Sequence, residues 1–154
     1  MELVNREEKE LIKFLKKVII FKNVSSSDLR HISQYLYTRH YQAGEEVFKK
    51  GFPNEMFYIV KEGELVAYLS EKNEEIELNK YLPGGHFGSI GLFADLKRTA
   101  SVKAVEDSVL LGISKKDLAT FVRRFPNAGI EILYAFGKEF CENIITLNER
   151  LVKH

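Results

Sequence analysis

The sequence predicts a mainly β fold with flanking helices: a β-sandwich or a jelly roll (double-stranded β-helix), with N-terminal helices and a long C-terminal helix. Between Thr38 and Ile113, short alternating segments such as MFYIV and ELVAYLS are separated by Gly and Asn turns, a pattern typical of a strand meander. Helical periodicity occurs on both sides of this stretch. We therefore expect one domain over residues 1–154, with helices in 1–37, a β-roll in 38–113 and helices in 114–154.

The composition excludes several classes of protein. A chain of 154 residues with 45% hydrophobic and 29% charged residues is ordinary for one globular core. The formal net charge of +1 gives no broad positive field, so we expect no direct contact with DNA. The single cysteine, Cys141, cannot form an internal disulfide, which indicates a reducing cytoplasm. No apolar run approaches the ~18 residues of a membrane span, so we expect no membrane contact.

Two helices are predicted before the β-roll. Residues 5–18 form an amphipathic helix in which acidic residues come early and lysines late, as the helix dipole favours. Its apolar face comprises Leu11, Ile12, Phe14, Leu15 and Val18. The stretch from Ser25 to Asp28 provides an N-cap for a second, short helix that ends near Tyr37.

Two further helices are predicted after the β-roll. Ser114 can cap a helix that Pro126 ends, and residues 127–152 are helical again. The last helix carries an apolar seam with alternating steps of three and four residues: Ile130, Leu133, Gly137, Phe140, Ile144, Leu147 and Leu151. This seam can face a second copy of the chain or lie against the chain's own β-roll. We expect a homodimer through residues 130–151.

The segment FGSIGLFADLKRTASV, residues 87–102, combines three features that suit the binding of phosphate. Gly88 allows backbone N–H groups to approach a ligand closely. The IGLF turn that follows can present the N-terminus of a short helix, which favours anions. Arg98 adds a fixed fork of donors, and Thr99 adds a hydroxyl that could donate to the same oxygens.

The residues of this segment also have purely structural interpretations. Arg98 could pair with a nearby acid, Asp95, instead of a ligand. Ser89 stands at the right place to be the N-cap of the short helix. Lys97 could be a solvated side chain. The spacing alone leaves these alternatives open.

The same segment resembles the phosphate-binding cassette of the cyclic-nucleotide-binding domain superfamily, whose pattern is F-G-E-(L/I)-(A/G)-L-x(4)-P-R-x-A-(T/S)-V. The residues in register are Phe87, Gly88, Ile90, Gly91, Leu92, Arg98, Ala100, Ser101 and Val102. Upstream, AGEEVFKKG, the pair Tyr58 and Ile59, and Gly63 match further landmarks of the family. Downstream, ISKKDLATFVRRFPN and TLNERL resemble the catabolite-activator and fumarate-nitrate-regulator branch. The resemblance covers about residues 14–151.

The resemblance implies a ligand-sensing domain of the family's fold. It assigns the cyclic phosphate to Gly88 with the backbone amides that follow, Arg98 and Thr99. On the C-terminal helix, Asn143 falls near the place where relatives present a hydroxyl to the purine. The ligand-binding residues expected on this basis are Gly88, Ser89, Ile90, Gly91, Arg98, Thr99 and Asn143. The implied ligand is cyclic AMP, cyclic GMP or another anionic nucleotide, and no cofactor or metal is required.

Two positions depart from the family pattern. Ser89 stands where the family has a Glu that accepts from the ribose 2′-hydroxyl, and losing this charge-assisted acceptor can weaken nucleotide binding roughly tenfold to a hundredfold. Lys97 replaces the Pro that usually precedes the Arg, which adds a second cation beside the phosphate position. Our hypothesis is that this favours a ligand more negative than one cyclic phosphodiester, such as a cyclic dinucleotide or an acidic metabolite.

These observations predict a non-catalytic sensor that signals through its C-terminal helix to its own dimer or to a downstream protein partner. The sequence carries no Ser-His-Asp grouping, H-E-x-x-H motif or paired carboxylates beside the cassette, so we expect no enzyme activity. His31, His40 and His86 are interpreted as surface or turn residues rather than metal ligands.

Two other functions remain open from the sequence. The chain could be a degenerate scaffold that binds no nucleotide and acts in protein–protein interaction or dimerisation. It could also be the sensor part of a longer transcription factor, because the sequence stops at His154, immediately past the helix to which the activator branch attaches its helix-turn-helix domain.

Overall fold

The structure is a computed structural model that describes residues 2–153, with side chains described over 5–153. Met1 and His154, the ends of the expected domain, lie outside the described residues. The helices are α1 (Glu2–Leu15), α2 (Ser26–Ser33), α3 (Ile90–Phe93), α4 (Lys115–Arg124) and α5 (Pro126–Val152), with a 3-10 turn at Ile19–Phe21. The strands are β1 (Tyr37–Tyr41), β2 (Glu46–Phe48), β3 (Met56–Glu62), β4 (Leu65–Glu71), β5 (Glu74–Tyr81), β6 (His86–Phe87), β7 (Ser101–Ala104) and β8 (Ser108–Ser114).

The chain forms two compact units. The β-unit contains residues 32–120, and the helical unit contains the described residues up to His31 together with those from Phe121 onward. All eight strands and the segment 87–102 therefore belong to the β-unit, whereas α1 and α5 belong to the helical unit. That the whole chain behaves as one domain stays a prediction.

The β-unit consists of two four-stranded antiparallel sheets. The strand order is β1-β8-β3-β6 in the first sheet and β2-β7-β4-β5 in the second. Strands far apart in the sequence become neighbours, since β8 pairs with both β1 and β3, and β7 pairs with both β2 and β4. This arrangement confirms the predicted jelly-roll class.

Alternating side chains of the central strands fill the core of the β-unit. Tyr58 and Val60 enter it from β3, and Leu65 and Ala67 enter it from β4. This spacing follows from strand geometry, because successive side chains point to opposite faces. The remaining members of the core are Phe87, Val102, Ala104 and Leu110. Each large side chain buried in this way stabilises the fold by about 1.5–3 kcal/mol.

Strand β5 lies at the outer edge of the second sheet, hydrogen-bonded to β4 on one side. Its residues are exposed except for the half-buried Tyr81. Lys72 and Asn73, which have φ of 50° and 64°, form the tight turn that connects β4 to β5. The charged side chains of β5 are Glu74, Glu75, Glu77 and Lys80.

The helical unit buries one face of α1 and one face of α5. The buried residues of α1 and of the segment after it include Ile12, Leu15, Val18, Ile20 and Phe21. Those of α5 are Ala128, Gly129, Ile132 and Phe136. The helix α5 spans 27 residues, yet no helix described in 2–153 is long and apolar enough to cross a membrane.

The second helix is shorter than predicted. It ends at Ser33 rather than near Tyr37, and Tyr37 is already the first residue of β1. Tyr37 pairs with Gly112 of β8, so backbone hydrogen bonds to a strand far along the chain override the local helical spacing. The predicted cap is confirmed, because the backbone N–H of Asp28 donates to Ser25 Oγ at 3.1 Å.

The first of the C-terminal helices begins where the sequence predicts, and the second begins one residue earlier, at Pro126 instead of 127. The backbone N–H of Asp117 donates to Ser114 Oγ at 3.0 Å, and Pro126 is the first residue of α5. The apolar seam predicted on α5 is a different face from the buried one. Two of its members, Ile130 and Leu147, are 52% and 56% exposed. The seam is therefore not the face that packs α5 into the helical unit.

Candidate functional site

The backbone around Arg98 is held by a loop from an earlier part of the chain. The N–H of Gly51 donates to the carbonyl of Arg98 at 2.8 Å, and the N–H of Arg98 donates to the carbonyl of Phe52 at 2.8 Å. These two bonds hold the segment between α3 and β7 against the loop that follows β2. The side chain of Arg98 is buried, with 5% of its surface exposed.

The guanidinium of Arg98 leaves most of its donors unused. Nη2 donates to the carbonyl of Met56 at 2.7 Å, and Cζ lies 3.9 Å from the centre of the Phe48 ring. Nε and Nη1 are buried and meet no hydrogen-bond acceptor within residues 2–153. A buried cation with unused donors is unfavourable, and an anion beside these nitrogens would remove part of that cost.

The acid closest to Arg98 in sequence does not neutralise its charge. Asp95 accepts a hydrogen bond from Lys115 Nζ at 2.9 Å, and this bond with the positive charge of Lys115 lowers the pKa of Asp95. The alternative pairing of Arg98 with Asp95 is therefore wrong. Burial lowers the pKa of the Arg98 guanidinium, and the charge interaction with Tyr58 opposes that change. Arginine nevertheless stays protonated in proteins, so the site holds a full positive charge.

Gly88 and Arg98 come together as the sequence predicts. Gly88 has a φ of +89°, a left-handed conformation that side-chain-bearing residues rarely adopt. A Cβ added at this position would lie 2.7 Å from Arg98 Nη1 and 2.9 Å from the carbonyl oxygen of Met56. The absence of a side chain thus lets the backbone at Gly88 approach the guanidinium.

Gly91 is buried against the side chain of Asn54. A Cβ at Gly91 would overlap the carboxamide of Asn54, so these two groups are already in contact. The Oδ1 atom of Asn54 is buried and has no hydrogen-bond donor among the described residues. The loop that holds the Arg98 backbone is therefore also the loop that packs against α3.

The other predicted residues of the cassette are less buried. Ser89 is half-buried, Ile90 is 49% exposed and Thr99 is exposed. Ser89 occupies the N-cap position of α3, but its backbone is already helical and its hydroxyl makes no capping hydrogen bond to the residues described. Ser89 is thus the N-cap residue by position, as predicted, but without a side-chain capping hydrogen bond within residues 2–153. Because α3 has four residues, it also supplies little helix dipole to an anion.

Two predicted contacts stay predictions. Asn143 is an exposed residue of α5 and belongs to the helical unit. Lys97 is exposed in the β-unit. The exposure of Lys97 agrees with its interpretation as a solvated side chain, and the contacts of both residues with a ligand are untested.

Sequence reasoning missed three residues of this site: Phe48, Asn54 and Met56. Met56 lies 42 positions before Arg98 and takes part through its backbone carbonyl, which no side-chain pattern signals. Phe48 is the last apolar residue of AGEEVF, a segment that matches the family pattern. That match was the signal in the sequence that could have identified Phe48. For Asn54, the only signal in the sequence was its position in a loop that contains Gly and Pro.

The three histidines within the described residues lie beside aromatic rings or at the surface. His31 stacks on Phe125 with 4.3 Å between ring centres, and His86 lies 5.2 Å from the ring of Phe57. His40 is exposed. Over the part of the chain that the structure describes, no three His, Cys, Asp or Glu side chains are grouped to hold a metal ion.

Two curated relatives align with most of this chain but with a small part of their own length. The Putative potassium channel protein RPA4233 of Rhodopseudomonas palustris is 32% identical over 118 residues, which are 75% of this chain and 28% of that protein. The cAMP-dependent protein kinase regulatory subunit of Mucor circinelloides f. lusitanicus is 30% identical over 104 residues, which are 68% of this chain and 24% of that protein. The chain therefore spans about a quarter of the length of these relatives.

A solved structure has the same fold. The catabolite activator protein of Thermus thermophilus matches with a TM-score of 0.73 and 25% identity, covering 84% of this chain and 61% of that one. This likeness confirms the predicted resemblance to the catabolite-activator branch. Residues 38–125, more than half of the chain, match the sequence profile of the family described as Cyclic nucleotide-binding domain. The chain belongs to the cyclic nucleotide-binding domain family.

Proposed function

We propose that this chain is a ligand-sensing regulatory domain whose β-unit binds a cyclic nucleotide, or a related anionic nucleotide, through its phosphate. The observation that carries the proposal is the buried guanidinium of Arg98, whose Nε and Nη1 have no acceptor in residues 2–153. The backbone at Gly88 lies close to Arg98 Nη1, so backbone N–H groups of the cassette and the guanidinium can donate to the same phosphate. Phosphate oxygens would supply the acceptors that these donors lack.

The relatives support a nucleotide as the first ligand to test. The relative from Mucor circinelloides is named as a regulatory subunit of a cAMP-dependent protein kinase. A domain of this family acts by binding its ligand and not by transforming it, so we propose a regulatory role without catalysis. A cytoplasmic location and a downstream protein partner are part of the same proposal.

The charge of the cassette indicates which part of the ligand is recognised. Residues 87–102 contain one acid, Asp95, and its carboxylate is engaged by Lys115. Ser89 offers a hydroxyl where the family has a carboxylate. This segment therefore has strong donors for phosphate and no free charged acceptor for a sugar hydroxyl. We propose that the binding site recognises the phosphate charge of the ligand and does not distinguish a ligand with a ribose 2′-hydroxyl from one without it.

Calorimetric titration tests this proposal with cyclic AMP, 2′-deoxy cyclic AMP, cyclic GMP and a cyclic dinucleotide. We expect cyclic AMP and its 2′-deoxy analogue to bind within about threefold of each other, and the more negative cyclic dinucleotide to bind more tightly. Ser89→Glu should restore about tenfold discrimination against the deoxy analogue, because a carboxylate is a charge-assisted acceptor. Ser89→Gln, which has the same size without the charge, is the matched control.

Two outcomes of that titration would contradict the proposal. Failure of every nucleotide to bind would favour the ligand-free scaffold, an alternative that the absence of the family's acid already supports. A clear preference for cyclic AMP over both the deoxy analogue and the cyclic dinucleotide would show that the site does recognise the ribose 2′-hydroxyl.

We further propose that the chain forms a homodimer through residues 130–151 and that ligand binding is signalled through α5. The support is the exposure of large apolar side chains on the seam, which include Ile130, Leu133, Ile144, Leu147 and Leu151. An exposed apolar stripe of this length is unfavourable in water, and a second copy of the same stripe would cover it.

Leu147→Glu should dissociate this dimer. A carboxylate in the seam would lose its hydration against the apolar partner face, so we expect the dissociation constant of the dimer to rise on the order of a hundredfold. Sedimentation equilibrium measures it directly. Thr146→Glu, an exposed neighbour outside the seam, is the matched control and should leave the dimer intact. A wild-type chain that stays monomeric at high concentration would contradict the dimer.

A further inference from the structure

We propose that Phe48 is a positioning residue for Arg98, and that its ring holds the guanidinium in the plane that presents Nε and Nη1 to the ligand. The proposal rests on the phosphate-binding function proposed above and adds a residue to that site. Its basis is the 3.9 Å separation between Arg98 Cζ and the centre of the Phe48 ring, together with the burial of Arg98.

The ring of Phe48 is itself firmly held. Phe48 pairs with Val102 of β7, so its backbone is tied to the strand that follows Arg98. Its ring centre lies 6.3 Å from that of Tyr58 and 5.9 Å from that of Phe87. Both of those rings belong to the buried core of the β-unit. The guanidinium thus rests on a side chain that is fixed by strand pairing and by packing.

The geometry of a guanidinium explains why such a support matters. Its N–H donors lie in the plane of the group, and its faces are weakly hydrated and suited to aromatic rings. Phe48 covers one face of the guanidinium and leaves its N–H donors free, and the carbonyl of Met56 accepts one hydrogen bond from Nη2. What remains for a ligand is the in-plane donors at Nε and Nη1. A ring is needed for this attraction, because an aliphatic side chain has no negative π face.

Phe48→Leu and Phe48→Tyr separate this role from simple packing. Leu remains apolar but lacks the ring, so we expect the affinity for cyclic AMP to fall about tenfold. Tyr retains the ring and should bind within about threefold of the wild type. The same substitutions are made in an Arg98→Lys background, where the ammonium has no planar face to stack. There we expect Phe48→Leu to change affinity less than about twofold, so that the two positions are coupled.

A second measurement needs no ligand. The Nε–H proton of Arg98, identified by its loss in Arg98→Lys, should resonate upfield in NMR spectra because it lies near the face of a ring. We expect this upfield shift in the wild type and in Phe48→Tyr, and its loss in Phe48→Leu. The spectra also report whether each variant is folded.

The outcomes distinguish the two proposals. If no nucleotide binds but the Arg98 proton is shifted and depends on the ring, the ring does orient the guanidinium, but the proposed function fails and with it the role towards a ligand. If nucleotide binds but Phe48→Leu weakens it equally in both backgrounds, Phe48 acts through general packing and the positioning role is overturned. An unshifted Arg98 proton in the wild type would overturn it as well.

Discussion

Replacing Arg98 with Met should abolish stabilisation by nucleotide and, without ligand, raise the free energy of unfolding by about 1 kcal/mol. The substitution removes a buried charge whose Nε and Nη1 lack acceptors, and it keeps an unbranched side chain of similar length. The lost hydrogen bond to Met56 limits the gain. Ligand at ~100 times its dissociation constant should stabilise the wild type by about 2.7 kcal/mol and the variant not at all.

Urea unfolding with and without nucleotide measures both effects. Lys97→Met is the matched control, because it removes the neighbouring charge from an exposed position and should retain most of the stabilisation by ligand. Should the Arg98 variant still be stabilised by nucleotide, Arg98 would not belong to the binding site. A large loss of stability without ligand would mean instead that the guanidinium is a structural support.

Gly88→Ala should lower the free energy of unfolding by about 2–3 kcal/mol and weaken nucleotide binding more than about tenfold. The φ of +89° strains any residue that carries a Cβ. In addition, the new methyl group would press on Arg98 Nη1 and on the carbonyl oxygen of Met56. The Arg98 N–H groups that are proposed to donate to phosphate would then be shifted from their positions.

Gly44→Ala provides the control for strain alone. Gly44 has a φ of +90°, but a Cβ there would meet no heavy atom within 4 Å. We expect this variant to lose about 1–2 kcal/mol of stability and to bind nucleotide normally. Chemical denaturation and calorimetry on both variants separate the two effects. If both glycine variants bind equally well, the space beside Arg98 is not part of the site.

The features that were predictable from sequence are those that depend on residues close together along the chain. The alternation in MFYIV and ELVAYLS marks strands whose inward residues form the core, and the cassette pattern places Gly88 near Arg98. The caps at Ser25 and Ser114 are likewise local. Each of these depends on a spacing of ten residues or fewer, which a sequence displays directly.

The features that escaped prediction depend on distant partners. Strand β1 has the sequence YTRHY and is almost wholly exposed. The predicted start of the β-roll near Thr38 agrees with it, but no local pattern shows that its partner is β8, far along the chain. The ring of Phe48 and the carbonyl of Met56, which contact the Arg98 guanidinium, lie far upstream. On α5, apolar residues occur on two faces, and periodicity alone does not show which of the two faces is buried within the helical unit.

The charges of β5 restrict how copies of this protein can associate. An unpaired strand at a sheet edge is a template on which another chain can add its own strand, and such additions lead to fibres. The charged side chains of β5 would lose part of their hydration beside an added strand, and two of its glutamates are already paired within the chain, Glu75 with Lys103 and Glu77 with Lys80. Charged side chains along this edge therefore disfavour growth of the second sheet by a strand from another molecule.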